Sequence, residues 1–541
     1  MAKRDGGKAF AREEERNSPT MKKQVVFLMT DSTRWDMVGC YGNAAMHTPH
    51  LDKLASEGVR FDRAYTCQPV CGPARSAIFT GQFPHSCGGW TNSVSIYDNC
   101  HTIGQRLTDQ GIRAAFIGKW HVDGGDYFGT GRCPAGWDPD YWYDMHCYLS
   151  ELSEAERRLS RKPALMDLRN VDEGFTFGHR VSDRAVDFLS RHADEDFFLT
   201  VSYDEPHDPS LCPEPYASMF KDYDFPAGEN VRDDLQNKPR HQRVWAGKKL
   251  REARDGLRVR ACRYLGCNAY ADYEMGRVLD AVREKCPDAM VIYTSDHGDF
   301  LESHRLFAKG PASYDEITRI PLIVSMPGGP RGESYPHPVS HIDLAPSILA
   351  YMGLPIPKLL EGKSILPAMR GEKEKLDPEI FMEFGRYEID HDGFGGFQPM
   401  RAVFDGRYKL TVNLLSDDEL YDLETDPGEM VNLIDREETA GIRNRLHDRL
   451  LDWMNETRDP FRGYYWERRP WRSDAREATW AYTGWTRQRE NEEYEERQYD
   501  YDTGLPMEEA SRFKSASPKE VTEEELRLWD EREKKGKGET R

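Results

Sequence analysis

Short apolar runs separated by longer amphipathic stretches set the rhythm of this chain. The first run, Gln24 to Thr30, is apolar at both odd and even positions and ends at Asp31. A strand buried on both faces reads this way, and such strands belong to parallel sheets covered by helices. Ala114–Ile117, Phe197–Val201, Ala289–Tyr293 and Pro321–Val324 have the same character. Between them, apolar positions recur at helical spacing over Pro49–Glu57, Val181–Arg191, Arg258–Lys285 and Ile342–Met352. Strands alternating with helices predict an α/β fold over residues 23–370, with a large, mostly parallel sheet sandwiched by helices.

Past a polar joint at Gly371–Asp377 the pattern changes. Phe381–Phe384, Arg401–Phe404 and Tyr408–Val412 are short strand-like runs, with Asp405-Gly406 as a hairpin turn. Glu419–Leu423 follows, and helical spacing resumes over Arg436–Asn455. These elements predict a smaller C-terminal α+β subdomain, residues 371–460, built on an antiparallel sheet. Residues 461–541 read as an aromatic and then highly charged tail that packs on the body or on a partner subunit. Residues 1–22 read as a disordered leader.

Composition narrows the partners. The net charge of -20 argues against a nucleic-acid binder relying on a basic surface. An anionic substrate would need a locally positive pocket. The 11 cysteines follow no framework spacing and read as reduced thiols. The first residues contain no apolar export segment, and no run of about 20 apolar residues is present, so neither secretion nor a membrane span is expected. The expected location is the cytoplasm.

Candidate chemistry gathers at strand ends, where ligands sit in parallel α/β sheets. Asp31 follows the first strand, and Asp296 and His297 follow the run ending at Tyr293. Acids on two such ends can share a divalent cation; oxygen ligands suit Ca²⁺ or Mg²⁺, and an imidazole admits Mn²⁺, Fe²⁺ or Zn²⁺. Lys119 and His121 follow the run ending at Ile117, and His207 sits between Pro206 and Pro209. Lys309-Gly310 lies in a loop after Asp296-His297. A lysine here could hold anionic oxygens and a histidine could move a proton. Each residue alone reads equally well as a cap, a turn or a packed side chain. Trp90, Asn92, Asp123, His391 and Arg401, in Gly- and aromatic-rich segments, are candidates for contact with a sugar ring, with ordinary loop packing as the alternative.

Cys71-Gly72-Pro73-Ala74-Arg75 followed by Thr80-Gly81 resembles the signature of the type I sulfatases, in the alkaline phosphatase superfamily. Asp31, Lys119-Trp120-His121, Pro206-His207, Asp296-His297-Gly298 and Lys309-Gly310 stand in that family's order, and the match runs from about residue 22 to 460. The tail, including Arg497–Pro506, is similar to a subgroup of signal-less enteric bacterial sulfatases. The resemblance implies that a maturation enzyme converts Cys71 to formylglycine, whose hydrate attacks a sulfate ester. It also implies one divalent metal, Ca²⁺ foremost, held by Asp31, Ser32, Asp296, His297 and the modified Cys71. Arg75, Lys119, His121, His207 and Lys309 take the catalytic roles, and a small sulfated sugar is the expected substrate. Two departures stand out. Ser32 replaces the second Asp that many members carry after the first strand, so a hydroxyl stands where they place a metal ligand. His297 replaces an Asn, as in choline sulfatases and phosphonate monoester hydrolases. The alternatives are therefore a phosphonate monoester or phosphodiester hydrolase of the same superfamily and a non-catalytic binding protein that keeps the fold. A homo-oligomer is compatible with the tail.

Overall fold

The computed structural model describes residues 22–124, 127–161, 171–247, 258–388 and 396–474. The leader, His391 and the tail beyond residue 474 lie outside them.

The large sheet contains β1 (Gln24–Asp31), β2 (Val59–Tyr65), β3 (Arg113–Gly118), β4 (Phe197–Pro206), β5 (Met290–Ser295), β6 (Leu322–Ser325) and β7 (Glu333–Ser340). They run in the order β7-β2-β6-β5-β1-β4-β3, with the two-residue strand Arg319–Ile320 beside β2. Strands β5, β1, β4 and β3 are mutually parallel, and β6 alone of the seven runs antiparallel to its neighbours. All eight residues of β1 are buried, as expected from its two apolar faces. Two strands, β2 and β7, are absent from the apolar-run reading. Strand β2 carries Arg60, Asp62 and Arg63, and β7 carries Pro336 and Pro338, so neither shows a continuous apolar signal.

Five longer helices and one short one matter here: α1 (Pro49–Ser56), α2 (Cys71–Thr80), α3 (Phe177–His192), α4 (Cys262–Lys285), α5 (Leu344–Met352) and α6 (Ala440–Glu456). The apolar sides of α1, α3 and α4 share a core with β1, β3, β4 and β5, including Leu54, Val181, Phe188, Val278 and Leu28. Helix α2 is different, because every one of its ten residues is buried. A helix buried all round is a fixed platform, and its first residue is Cys71.

The smaller sheet is antiparallel throughout, in the order β8 (Ile380–Phe384), β9 (Met400–Phe404), β10 (Tyr408–Asn413) and β11 (Glu419–Asp422). Helix α6 packs against it. Cys67, Ala77 and Phe83 lie in the same apolar cluster as Val403, Leu410, Trp453 and Trp466. Both sheets therefore belong to one compact unit.

The parallel arrangement explains how distant residues meet. Thr30 pairs with Ser295, Asp31 with Pro206 and Gly118 with Ser202. Asp31, Asp296, Lys119 and His207 consequently leave the sheet along one rim. Gly118 makes the exit of β3 possible, with φ +121° and space for a Cβ only 1.8 Å from the Ser202 carbonyl oxygen. Any side chain there would collide with β4.

Candidate active site

Arg75, one turn along α2 from Cys71, organises the centre. Its Nε donates to Asp296 Oδ2 and its Nη2 to Asp31 Oδ2, each at 3.0 Å. Its Nη1 donates to the Lys119 carbonyl (2.6 Å) and the Ser202 hydroxyl (2.8 Å). One guanidinium thus ties together the ends of β1, β5, β3 and β4, in the fork geometry that suits paired carboxylates.

With both Oδ2 atoms taken, both Oδ1 atoms face the other way. His297 Nε2 lies 3.9 Å from Asp31 Oδ1 and 3.6 Å from Asp296 Oδ1. Cys71 Sγ lies 3.1 Å from the same Nε2 and 3.7 Å from Asp31 Oδ1. The ligand atoms of Asp31, Cys71, Asp296 and His297 all fall within 4.8 Å of one another. His297 Nδ1 donates to the Gly298 carbonyl at 2.8 Å. That bond leaves the Nε2 lone pair facing the carboxylates, as a metal-ligating imidazole requires. The donor set fits a divalent cation.

Ser32 anchors this set. Its backbone has φ +69°, its N–H donates to Asp296 Oδ1 (3.0 Å) and its hydroxyl to Asp31 Oδ1 (2.7 Å). Ser32 thus bonds one oxygen of each carboxylate, its hydroxyl turned onto Asp31.

The electrostatics follow from burial against charge. Burial opposes ionisation of Asp31, but Lys119, His207, Lys309 and Arg75 outweigh it and hold its carboxyl well below the usual range. Burial and then Asp31 push Asp296 up to about 6. Burial and Asp31 also oppose a Cys71 thiolate, yet Lys309, Lys119 and His297 prevail and lower its pKa well below the ordinary thiol. Lys309 and Lys119 stay protonated despite full burial, Lys309 chiefly through Cys71 and Lys119 through Asp204 and Asp31. Burial lowers the pKa of His121, whose ring is hydrogen-bonded to Cys71 and whose Nδ1 has no partner. A chain with strong net negative charge has concentrated three buried cations around one sulfur.

Of the candidates for sugar contact, Asn92 reaches the centre. Its Oδ1 accepts from the Gly72 N–H at 2.8 Å, next to Cys71. Trp90 is half-buried, with its ring 6.2 Å from Phe461. Asp123 accepts from the Thr130 N–H, and its other carboxylate oxygen is buried without a partner. Arg401 does not line the site. It is 1% exposed, paired with Asp459 at 2.5 Å and donating to the carbonyls of Phe384 and Met400. Four of the five N–H groups of this buried guanidinium are thereby committed to Asp459 and to the small sheet's own backbone.

Two residues beyond the expected set join the rim. Asp204 Oδ1 accepts from Lys119 Nζ at 2.9 Å and from the Tyr127 hydroxyl. Asp204 stands with Glu205 at the end of β4, where its charge was a detectable signal. Tyr127 lies four residues beyond the candidate Asp123. Next to them, His207, Arg161, Tyr148, Phe177 and Leu211 line a small cavity that Asp204 also borders.

Glu205, the neighbour of Asp204, gives a stability test. Its Oε1 accepts from the Gly178 N–H (2.9 Å), its Oε2 is buried without a partner, and burial followed by Asp204 pushes its pKa up to about 8. The native state keeps a proton that the unfolded chain releases near the ordinary carboxyl value. Stability contributed by this group is therefore present at low pH and lost as pH rises toward 8. Glu205→Gln is expected to remove that slope, and to be more stable than the parent at pH 8.5 by up to ~4 kcal/mol. Denaturant midpoints at pH 5 and 8.5 check this; equal pH dependence in both proteins would refute it.

Comparison with known proteins agrees with the geometry. The sulfatase family model matches residues 23–354, and the model for the N-sulphoglucosamine sulphohydrolase C-terminal region matches residues 302–456. The uncharacterized sulfatase YidJ of Escherichia coli (strain K12) is 46% identical over 492 residues, covering 90% of this chain and 97% of YidJ. A solved structure in complex with its substrate D-glucosamine-2-N,6-O-disulfate superposes with TM-score 0.66 at 21% identity, covering 81% of this chain and 99% of that one. The phosphonate monoester hydrolase of Silicibacter pomeroyi gives TM-score 0.66 at 22% identity, covering 81% and 96%.

Proposed function

The chain belongs to the sulfatase family of sulfuric ester hydrolases, and from that premise we propose that it hydrolyses a sulfate monoester of a small sugar at Cys71, matured to formylglycine. The observation that carries this reading is the meeting of Cys71, at the start of a fully buried helix, with two carboxylate oxygens, an imidazole nitrogen and two lysines.

Asp31, Asp296 and His297 would hold a divalent cation, Ca²⁺ foremost, with Mn²⁺ and Mg²⁺ as alternatives. Formylglycine would supply a hydrated aldehyde as nucleophile and the cation would lower the pKa of its hydroxyl. The chain's own residues account for the rest. Arg75 neutralises the carboxylates and fixes α2 against the rim. Lys119 and Lys309 face the non-bridging oxygens of the sulfuryl group, where charge redistributes as the ester bond breaks. His207, beside Tyr127 on the same rim, gives a proton to the departing alcohol oxygen. His121, kept neutral by burial, is ready to accept the proton released at residue 71 when sulfate leaves. Beside His207 stand the Tyr148 and Phe177 rings and the Arg161 guanidinium, groups of the kind that contact a sugar.

The second reading, phosphonate monoester hydrolysis, is favoured by one feature, the Asp296-His297 pair. Lys119-Trp120-His121 favours the sulfatase reading. The test is the rate ratio for an aryl sulfate against the matched aryl phosphonate monoester, after co-expression with a formylglycine-generating enzyme. A sulfate preference that disappears in Cys71→Ala is expected. A phosphonate preference would overturn the sulfatase reading and establish the second.

A further inference from the structure

The rim contains a hydrogen-bonded connection that the catalytic assignments leave unused. Lys119 Nζ sits between Asp31 Oδ2 (2.8 Å) and Asp204 Oδ1 (2.9 Å), and it lies 4.0 Å from the centre of the Tyr127 ring. The Tyr127 hydroxyl contacts that same Asp204 Oδ1 and lies 3.1 Å from His207 Nδ1. His207 Nδ1 also lies 2.9 Å from the Asp208 carbonyl oxygen.

Proton counting assigns the directions. A carboxylate beside a lysine only accepts, so the single Tyr127 proton goes to Asp204. Burial opposes the charge on Asp204, but Lys119 outweighs it and keeps the group ionised. Burial and the charge of Asp204 keep the Tyr127 phenol protonated. The phenol oxygen can then only accept from His207, and the Asp208 carbonyl can only accept as well. His207 therefore carries a proton on Nδ1, shared between two acceptors, which leaves Nε2 as its other ring nitrogen. An imidazole held this way presents the one nitrogen that can exchange a proton with a bound ester.

We infer that Tyr127 and Asp204 form a positioning pair that orients His207 as the acid for the leaving group and couples it to Lys119, which holds the sulfuryl oxygens. The inference rests on the ester-hydrolase reading above and adds two residues to it. One carboxylate oxygen serves both the cation on the sulfuryl side and the phenol on the leaving-group side. A displacement of either is felt by the other. Neither Tyr127 nor Asp204 is a catalytic residue in this arrangement, since each acts through His207 or Lys119.

The test is Tyr127→Phe, which deletes the hydroxyl and retains the ring against Lys119. Rates are measured on the full, matured chain with substituted phenyl sulfates of graded leaving ability. Leaving-group protonation matters most for the poorest leaving group. Removal of a positioned acid's support is expected to cut kcat on unsubstituted phenyl sulfate by ~10–100-fold, while 4-nitrophenyl sulfate changes by less than about threefold. The dependence of rate on leaving-group acidity steepens accordingly. Asp204→Asn, which also perturbs Lys119, is expected to lose rate on both esters and to raise KM. An equal loss on both esters in Tyr127→Phe, or no loss on phenyl sulfate, would overturn the inference. A wild-type preference for phosphonate esters would refute the sulfatase reading alone. The same leaving-group series in aryl phosphonates would then decide the role of Tyr127.

Discussion

Cys71→Ser is expected to lose steady-state turnover by at least ~10³-fold, because a nucleophile and its partners act as a unit. Serine preserves the size of the side chain at the start of α2, and the buried helix tolerates it, so the thermal midpoint should stay within a few degrees of the parent. The loss has a chemical origin. A serine offers a single hydroxyl, and once that oxygen is sulfated nothing at residue 71 can expel the sulfate. At most one alcohol is released per protein molecule, followed by arrest. Initial and steady-state alcohol release, with peptide mass spectrometry of the wild-type segment around residue 71 to verify loss of sulfur, makes the comparison. Undiminished steady turnover in the serine variant would sink the formylglycine assignment.

Arg75→Leu should produce the largest loss of stability of any single change at this site. The guanidinium is fully buried and ion-paired with Asp31 and Asp296. Its removal also takes one donor each from the Lys119 carbonyl and the Ser202 hydroxyl, which keep only the bond they make to each other. Breaking a buried ionic cluster from one side costs about 3–5 kcal/mol, because the remaining charges stay buried without compensation. The variant gains two carboxylate oxygens facing inward, so its stability should depend more steeply on Ca²⁺ than that of the parent. A cation at 100 times its Kd adds about 2.7 kcal/mol to the state that binds it. Urea titrations with chelator and with added Ca²⁺ read both effects. A variant as stable as the parent in chelator, or one with equal or weaker Ca²⁺ dependence, would show that Arg75 does not neutralise this pair.

The legibility of this fold in its sequence depended on where each strand lies. Central strands such as β1 and β4 are apolar on both faces and announce themselves. Strands β2 and β7 sit toward the far edge, alternate with charged or proline residues, and carry no such signal. The small sheet was readable from Asp405-Gly406 and its flanking runs. At the site, residues directly after apolar strands were legible because a parallel sheet gathers its strand ends on one rim. Asp31, Lys119, His207 and Asp296 all belong to this class. What could not be read was pairing. Arg401 and Arg75 are both arginines near aromatic and acidic residues, yet one is committed to Asp459 and the other to the reaction centre. Likewise Tyr127 and Asp204 acquire meaning only through each other, and their separation in the chain carries no period that sequence patterning could detect.

The shared cluster of Cys67, Ala77 and Phe83 with the small sheet has a consequence for how such a chain can be inherited. Glu383 on β8 donates its backbone N–H to the Cys67 carbonyl at 2.7 Å and accepts from the His85 N–H at 2.9 Å. Lys409 on β10 reaches across to the Ser313 carbonyl and Asp315. The polar joint at residues 371–377 is therefore a change in sequence character and not a seam between independent modules. A crossover between two relatives at this joint would set the Glu383 of one parent against the His85 environment of the other, and the platform under Cys71 would inherit the mismatch. Exchange at this point succeeds only between parents that already agree on both sides of it, so the two halves must drift as a single hereditary block.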